Sequence, residues 1–213
     1  MTHRSCMIFH ADAPFMTTTF RAMRAFAPIA VALVLVAMVE ACGDLTRPKP
    51  SRENFTDTLT LSTINGTPVD APAGLWLFGS VGVPIDAGFG FDLGFDIDAQ
   101  GAATLYTVRK IAGGLSTAHT VGLMRLEQGF EALTEAPKTG FVTDSSYSVS
   151  VGDAFAIVST DPAACGVFSF SNQIYAKLEV LEINPGNRTV KSRFTVNPNC
   201  GFVSLAPTGI PNR

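Results

Sequence analysis

Three aspartates, Asp92, Asp96 and Asp98, stand within seven positions in the stretch GFGFDLGFDIDAQG, residues 88–101. Hard cations such as calcium bind carboxylate and carbonyl oxygens, so a cluster this dense is the first place to look for a metal. The segment DIDAQG (96–101) has the opening of a calcium loop: Asp96, Asp98, Gln100, then Gly101. A full twelve-residue loop ends on a bidentate glutamate. Counted from Asp96, that place holds Thr107, which has no carboxylate. Same-face neighbours on a strand also lie about 7 Å apart, too far to share one ion without help from a loop. The three aspartates are therefore weak ligands. The expectation is no metal and no cofactor, only the wet side of a strand and its turn.

Nucleophilic catalysis needs a base oriented by a third group. His119 is the one histidine of the chain beyond residue 10, set among serine and threonines in STAHT (116–120). No nucleophile-elbow sequence accompanies it. The expected role is a surface or hydrogen-bonded residue at a strand start. Paired carboxylates could serve glycoside hydrolysis. Glu127, Glu131 and Glu135 recur at intervals of four, and they read as a solvated edge. Zinc bound through cysteine is disfavoured, because Cys165 and Cys200 are 35 positions apart with no second close pair. Trp76 and the phenylalanines read as core. An exposed aromatic platform for sugars would have to draw on Tyr106, Tyr147 and Tyr175, the only tyrosines.

The most specific signal lies upstream. In MTTTFRAMRAFAPIAVALVLVAMVEACGD (16–44), Arg21 and Arg24 precede an apolar run over residues 25–39. A spanning helix needs roughly 20 apolar residues, so this shorter run fits a secretory signal segment that is removed. Residues 1–15 lack the pattern of a charged leader start, so Met16 or Met23 is the expected first residue. Val39, Glu40, Ala41 and Cys42 then follow the order aliphatic, variable, small, cysteine. Over residues 16–44 the chain resembles bacterial lipoprotein precursors, although Glu40 departs from the small or apolar residue preferred there. Val39-Glu40-Ala41 also passes as a site for an ordinary signal peptidase. The resemblance implies cleavage before Cys42, a diacylglyceryl thioether on its sulfur and acylation of its new amino group.

Cysteine arithmetic agrees with that implication. Cys6 would be discarded with the leader, and Cys42, Cys165 and Cys200 would remain. Exported chains tend to pair their thiols, so an odd one needs a use. Lipidating Cys42 leaves Cys165 and Cys200 as one disulfide. A doubly or triply acylated cysteine holds a protein stably at a membrane, which one chain does not. The expected division is a signal peptide over 1–41, a lipidated N-terminus and polar tether over 42–57, and a folded domain over 58–213.

Alternation dominates that domain. Phe89, Phe91, Leu93, Phe95 and Ile97 take the odd positions, and glycines and aspartates take the even ones. A strand sends successive side chains to opposite faces, so the large groups point inward and Asp92, Asp96 and Asp98 point to water. The partner strand is predicted over 103–111, reached through a turn closed by Gly101. Further strands are predicted at 75–78, 119–127, 146–151 and 154–159. A long hairpin runs over 174–183 and 188–196 around Asn184-Pro185-Gly186-Asn187. Its second arm sends Val190, Phe194 and Val196 one way and Lys191 and Arg193 the other. Residues 122–136 mix helical spacing with Gly129, and are predicted as strand then loop.

Hydrophobic residues make up 46% of the chain and charged residues 15%, enough for a core and unlike a disordered composition. From Cys42 onward 12 basic face 16 acidic residues, so no basic field exists to attract nucleic acid. The predicted fold is all-β, one antiparallel β-sandwich, immunoglobulin-like or jelly-roll-like. The expected function is a non-catalytic binding or structural role. The protein would be lipid-anchored on the extracytoplasmic side of a bacterial cell envelope, with an envelope protein or glycan as possible partner. The alternatives are a carbohydrate- or calcium-dependent adhesion module and a cell-envelope glycan hydrolase.

Overall fold

The computed structural model describes residues 49–117, 119–160, 165 and 171–207; the segment predicted as a signal peptide and Cys42 lie outside them. The described chain is built from eleven strands and one short helix. The strands are β1 (Phe55–Ser62), β2 (Gly74–Trp76), β3 (Val81–Val83), β4 (Leu93–Ile97), β5 (Ala103–Thr107), β6 (Thr120–Leu126), β7 (Val142–Thr143), β8 (Ser146–Val149), β9 (Ala154–Thr160), β10 (Gln173–Asn184) and β11 (Thr189–Asn197). The helix, α1, is Val108–Ala112. A six-stranded sheet runs β1-β11-β10-β9-β6-β7 and a five-stranded sheet β3-β2-β4-β5-β8. Every strand pairing is antiparallel. The protein is a β-sandwich.

The period-two pattern decides which faces meet. Phe91, Leu93, Phe95 and Ile97 join Val121, Leu123, Phe155, Ile157, Ala176, Leu178, Val190, Phe194 and Val196 in one buried cluster between the sheets. Fully burying a side chain of this size contributes about 1.5–3 kcal/mol, so this layer carries most of the stability. The β10–β11 hairpin turns at Asn184–Thr189, where Asn187 N–H donates to Asn184 Oδ1 at 2.9 Å. Gly101 takes φ 85° in the turn before β5, as that turn requires.

A second apolar layer covers the outer face of the six-stranded sheet. Leu126, Phe130, Leu133, Ala136, Ala154, Ala156, Tyr175 and Leu205 pack there. The segment after β6 folds back over this face. It is held to the C-terminal segment by Ala136 N–H to Val203 O and Leu205 N–H to Thr134 O, both 2.7 Å. Residues 122–136 are strand then loop, and the loop's apolar side chains close this layer.

Several boundaries differ from the sequence reading, and the short strands β3 and β7 were not read; two of the differences matter most. The strand predicted over 103–111 stops at Thr107, and Val108–Ala112 turn once as a helix. That turn buries Val108 and Ala112 while Arg109 and Lys110 stay in water, and Gly113 closes it in the left-handed region at φ 61°. The tether predicted to run through residue 57 is also shorter. β1 starts at Phe55, and residues 51–54 are already tied to the body. The Asn199 side chain accepts Ser51 N–H at 2.9 Å and Arg52 N–H at 3.0 Å, and donates to Arg52 O at 2.8 Å. Asn54 donates to the carbonyls of Ser204 and Ala206. Side-chain amides thus replace a strand partner for a segment too polar to signal its own order.

Cys165 and Cys200 form a disulfide, with Cα atoms 5.9 Å apart. It follows directly on Asn199, so the covalent link and the clamp on the N-terminal segment share one corner. Replacing both cysteines by serine is expected to cost about 3–4 kcal/mol, from loop closure in the unfolded chain. Urea denaturation with and without reductant measures it; equal midpoints would show that the link contributes nothing.

Candidate functional site

Of the residues singled out by the sequence, Asp92 and His119 come together, while Asp96 and Asp98 are engaged elsewhere. Asp98 closes its own turn, accepting the N–H groups of Gln100 at 2.9 Å and Ala102 at 2.8 Å. Asp96 is half-buried and faces Arg188, whose Nη2 lies 3.2 Å from Oδ1. It also accepts the Asn65 side-chain amide at 2.6 Å. Arg188 continues to Ile97 O at 2.7 Å and Asn65 O at 2.8 Å, so Asp96 ties the β10–β11 turn to β4 and to the loop after β1. Among the described residues no group of three or more His, Cys, Asp or Glu side chains is placed to hold a metal.

Asp92 overturns the expectation that it faces water. Its side chain is 0% exposed. The chain bends at Asp92 itself, just ahead of β4, so the alternation of β4 does not govern where this side chain goes. The carboxylate enters the space between the sheets. Its Oδ1 accepts the Ser159 hydroxyl and lies 3.1 Å from His119 Nδ1, and its Oδ2 accepts Leu77 N–H at 2.7 Å. His119, 5% exposed, leads into β6, and Ser159 lies on β9 on the inward side that also carries Phe155 and Ile157. One carboxylate of the five-stranded layer is thereby bonded to two strands of the six-stranded layer.

This arrangement has the residue types of a nucleophilic triad in a different order. In such a relay the histidine stands between serine and carboxylate and takes the serine proton. Here the serine hydroxyl is committed to the carboxylate itself. The chemistry the geometry supports is that of a buried anion held by three donors, a polar link between layers. Its desolvation cost is offset only while all three donors stay in place. Ser159 was missed by the sequence reading, though its inward position in AFAIVST (154–160) was a usable signal.

A second buried ion lies on the outer face. Lys177 is 1% exposed, and its Nζ donates to Phe130 O at 3.0 Å and Leu133 O at 2.8 Å. The ammonium sits 4.4 Å from the centre of the Phe130 ring, and Arg193 covers the same ring at 4.3 Å. Arg193 bonds Glu131 at 2.8 Å and Glu179 at 2.7 Å. Burial lowers the Lys177 pKa below 10.5, against the pull of Glu131 and with the push of Arg193. Burial also raises Tyr175 above 10.0. Glu127, Glu131 and Glu135 are exposed, as expected of a solvated edge, and Lys191 is exposed on β11. Tyr175 is buried, and Trp76, Tyr106 and Tyr147 are half-buried.

No protein family, curated protein or solved structure matches this chain. The reading of the site therefore rests on geometry.

Two measurements check that geometry. Asp92→Ala leaves three buried donors without an acceptor and is expected to lower stability by about 3–5 kcal/mol. Ser159→Ala removes one bond to a charged group and is expected to cost about 1.5–3 kcal/mol. Losses near zero for both in urea titrations would discard the buried link. At alkaline pH the folded state gives up the Lys177 proton before the unfolded chain does. The unfolded chain then binds more protons, so this residue makes stability rise with pH through the window that ends near 10.5. Tyr175 acts oppositely above 10.0. It is present in both wild type and Lys177→Met, so the difference between their pH profiles isolates the lysine. Superimposable slopes would show that burial leaves its proton affinity unchanged.

Proposed function

We propose that the protein is a lipid-anchored component of a bacterial cell envelope, held on the extracytoplasmic side, with a non-catalytic binding or structural role. The observation that carries this reading is the Cys165–Cys200 disulfide. It suits an oxidising compartment. It also uses up both body cysteines, so Cys42, at the end of the lipobox-like Val39-Glu40-Ala41-Cys42, is the thiol left for acylation once the leader is cut. The polar groups between the sheets support the non-catalytic half of the reading, since Asp92, His119 and Ser159 are spent on joining the layers. The partner is an envelope protein or glycan met at the membrane surface. The net acidic body argues against nucleic acid.

Expression of the full chain in a bacterium with lipoprotein processing tests the placement. The expected N-terminal peptide begins at Cys42 and carries a diacylglyceryl group. Cys42→Ser is expected to abolish the modification and release the protein from washed membranes. An unmodified mature N-terminus, or membrane association that survives Cys42→Ser unchanged, would reject the anchor.

A further inference from the structure

We infer that the corner of the sandwich where the chain joins the body is a membrane-facing rim, with Trp76 and Phe78 resting in the headgroup region of the bilayer. The inference builds on the lipid anchor proposed above and goes further, because it assigns an orientation and a contact surface.

The geometry is local and aromatic. Arg52, pinned through its backbone to Asn199, lays its guanidinium 6.0 Å from the centre of the Phe78 ring. Phe78 in turn lies 6.2 Å from Trp76. Gly79 backs the indole so closely that a Cβ there would sit 2.2 Å from a ring carbon, so Trp76 is held rigidly by bare backbone. Both rings are half-buried, with part of each in solvent. Phe55, three residues beyond Arg52 at the start of β1, is 44% exposed. Lys49 and Arg52 are exposed beside Glu53, which leaves the segment with one net positive charge.

Trp76 has the amphipathic ring that settles at a membrane–water interface, and the apolar Phe78 and the cation of Arg52 stand beside it. The rim is also the end at which the tether from Cys42 joins the body. From Cys42 to Arg52 the chain spans at most about 35 Å when fully extended. Residues 51–54 are clamped to the body, so the tether meets the body at that corner. The end of the sandwich that carries Arg52, Phe78 and Trp76 is the end brought to the surface, whichever leaflet holds the lipid. The opposite end, with the turn at Asn184–Thr189, then faces away and is left for the partner.

Trp76 is the single tryptophan of the chain, so its emission reports the rim alone. The test places the full-length protein, purified from bacterial membranes, in phosphatidylcholine vesicles with or without bromine on the acyl chains. The N-terminal mass is measured on the same sample. Loss of Trp76 emission in the brominated vesicles, with protection from aqueous iodide, is the expected result. Equal emission in the two lipids overturns the rim. If acyl groups are present and emission is equal, the anchor stands and the orientation falls. If acyl groups are absent and quenching persists, the rim stands and the anchor falls. With neither, both fall.

Discussion

Between the two sheets lies a carboxylate with no access to water, and its three donors come from three separate stretches of chain. Leu77 follows β2, His119 leads into β6 and Ser159 lies on β9. An apolar core is tolerant of volume-conserving changes, because no single contact in it is directional. A buried anion is not, since each lost donor exposes a full desolvation penalty. Asp92 therefore sets the alignment of one sheet on the other, while Phe91, Leu93, Phe95 and their partners supply the bulk of the attraction.

The same logic recurs on the outside of the six-stranded sheet. The segment after β6 has too little regular structure to bond itself, and its carbonyls at Phe130 and Leu133 are served by Lys177. The lysine in turn depends on the Phe130 ring, which Arg193 shares. At the other margin the Asn199 amide plays the part of a missing strand for Ser51 and Arg52. Irregular segments in this fold are thus ordered by single polar side chains that reach out from regular strands.

These devices bear on the proposed placement. A lipid on Cys42 restrains a domain only as tightly as the connecting chain is short and well joined. The clamp at Asn199 and the neighbouring disulfide fix that join, so in the proposed placement one corner of the body would be presented to the bilayer. Phe78 and Trp76 occupy that corner, packed against Arg52 and Gly79.

Much of the architecture was legible in one dimension. Period two in residues 89–97 and in the 188–196 arm named the inward faces, because a strand has only two sides and apolar groups choose the dry one. The disulfide followed from counting cysteines on the expectation that a leader is removed and Cys42 is lipidated. The short helix after β5 was not read, although Gly113-Gly114 marked its end. The fate of Asp92 was illegible for a deeper reason. Local pattern can say which side of a strand a residue takes while the strand is regular, and the bend at Asp92 itself ends that regularity. What a carboxylate then meets depends on segments 27 and 67 positions away. Only the folded arrangement brings His119 and Ser159 to it, and likewise Lys177 to carbonyls more than 40 residues earlier. Sequence alone determined the two-faced pattern of the longer strands and the thiol count, and it raised the expectation of export. Tertiary structure decided which polar groups went inside, since burying a charge requires donors that no local stretch contains.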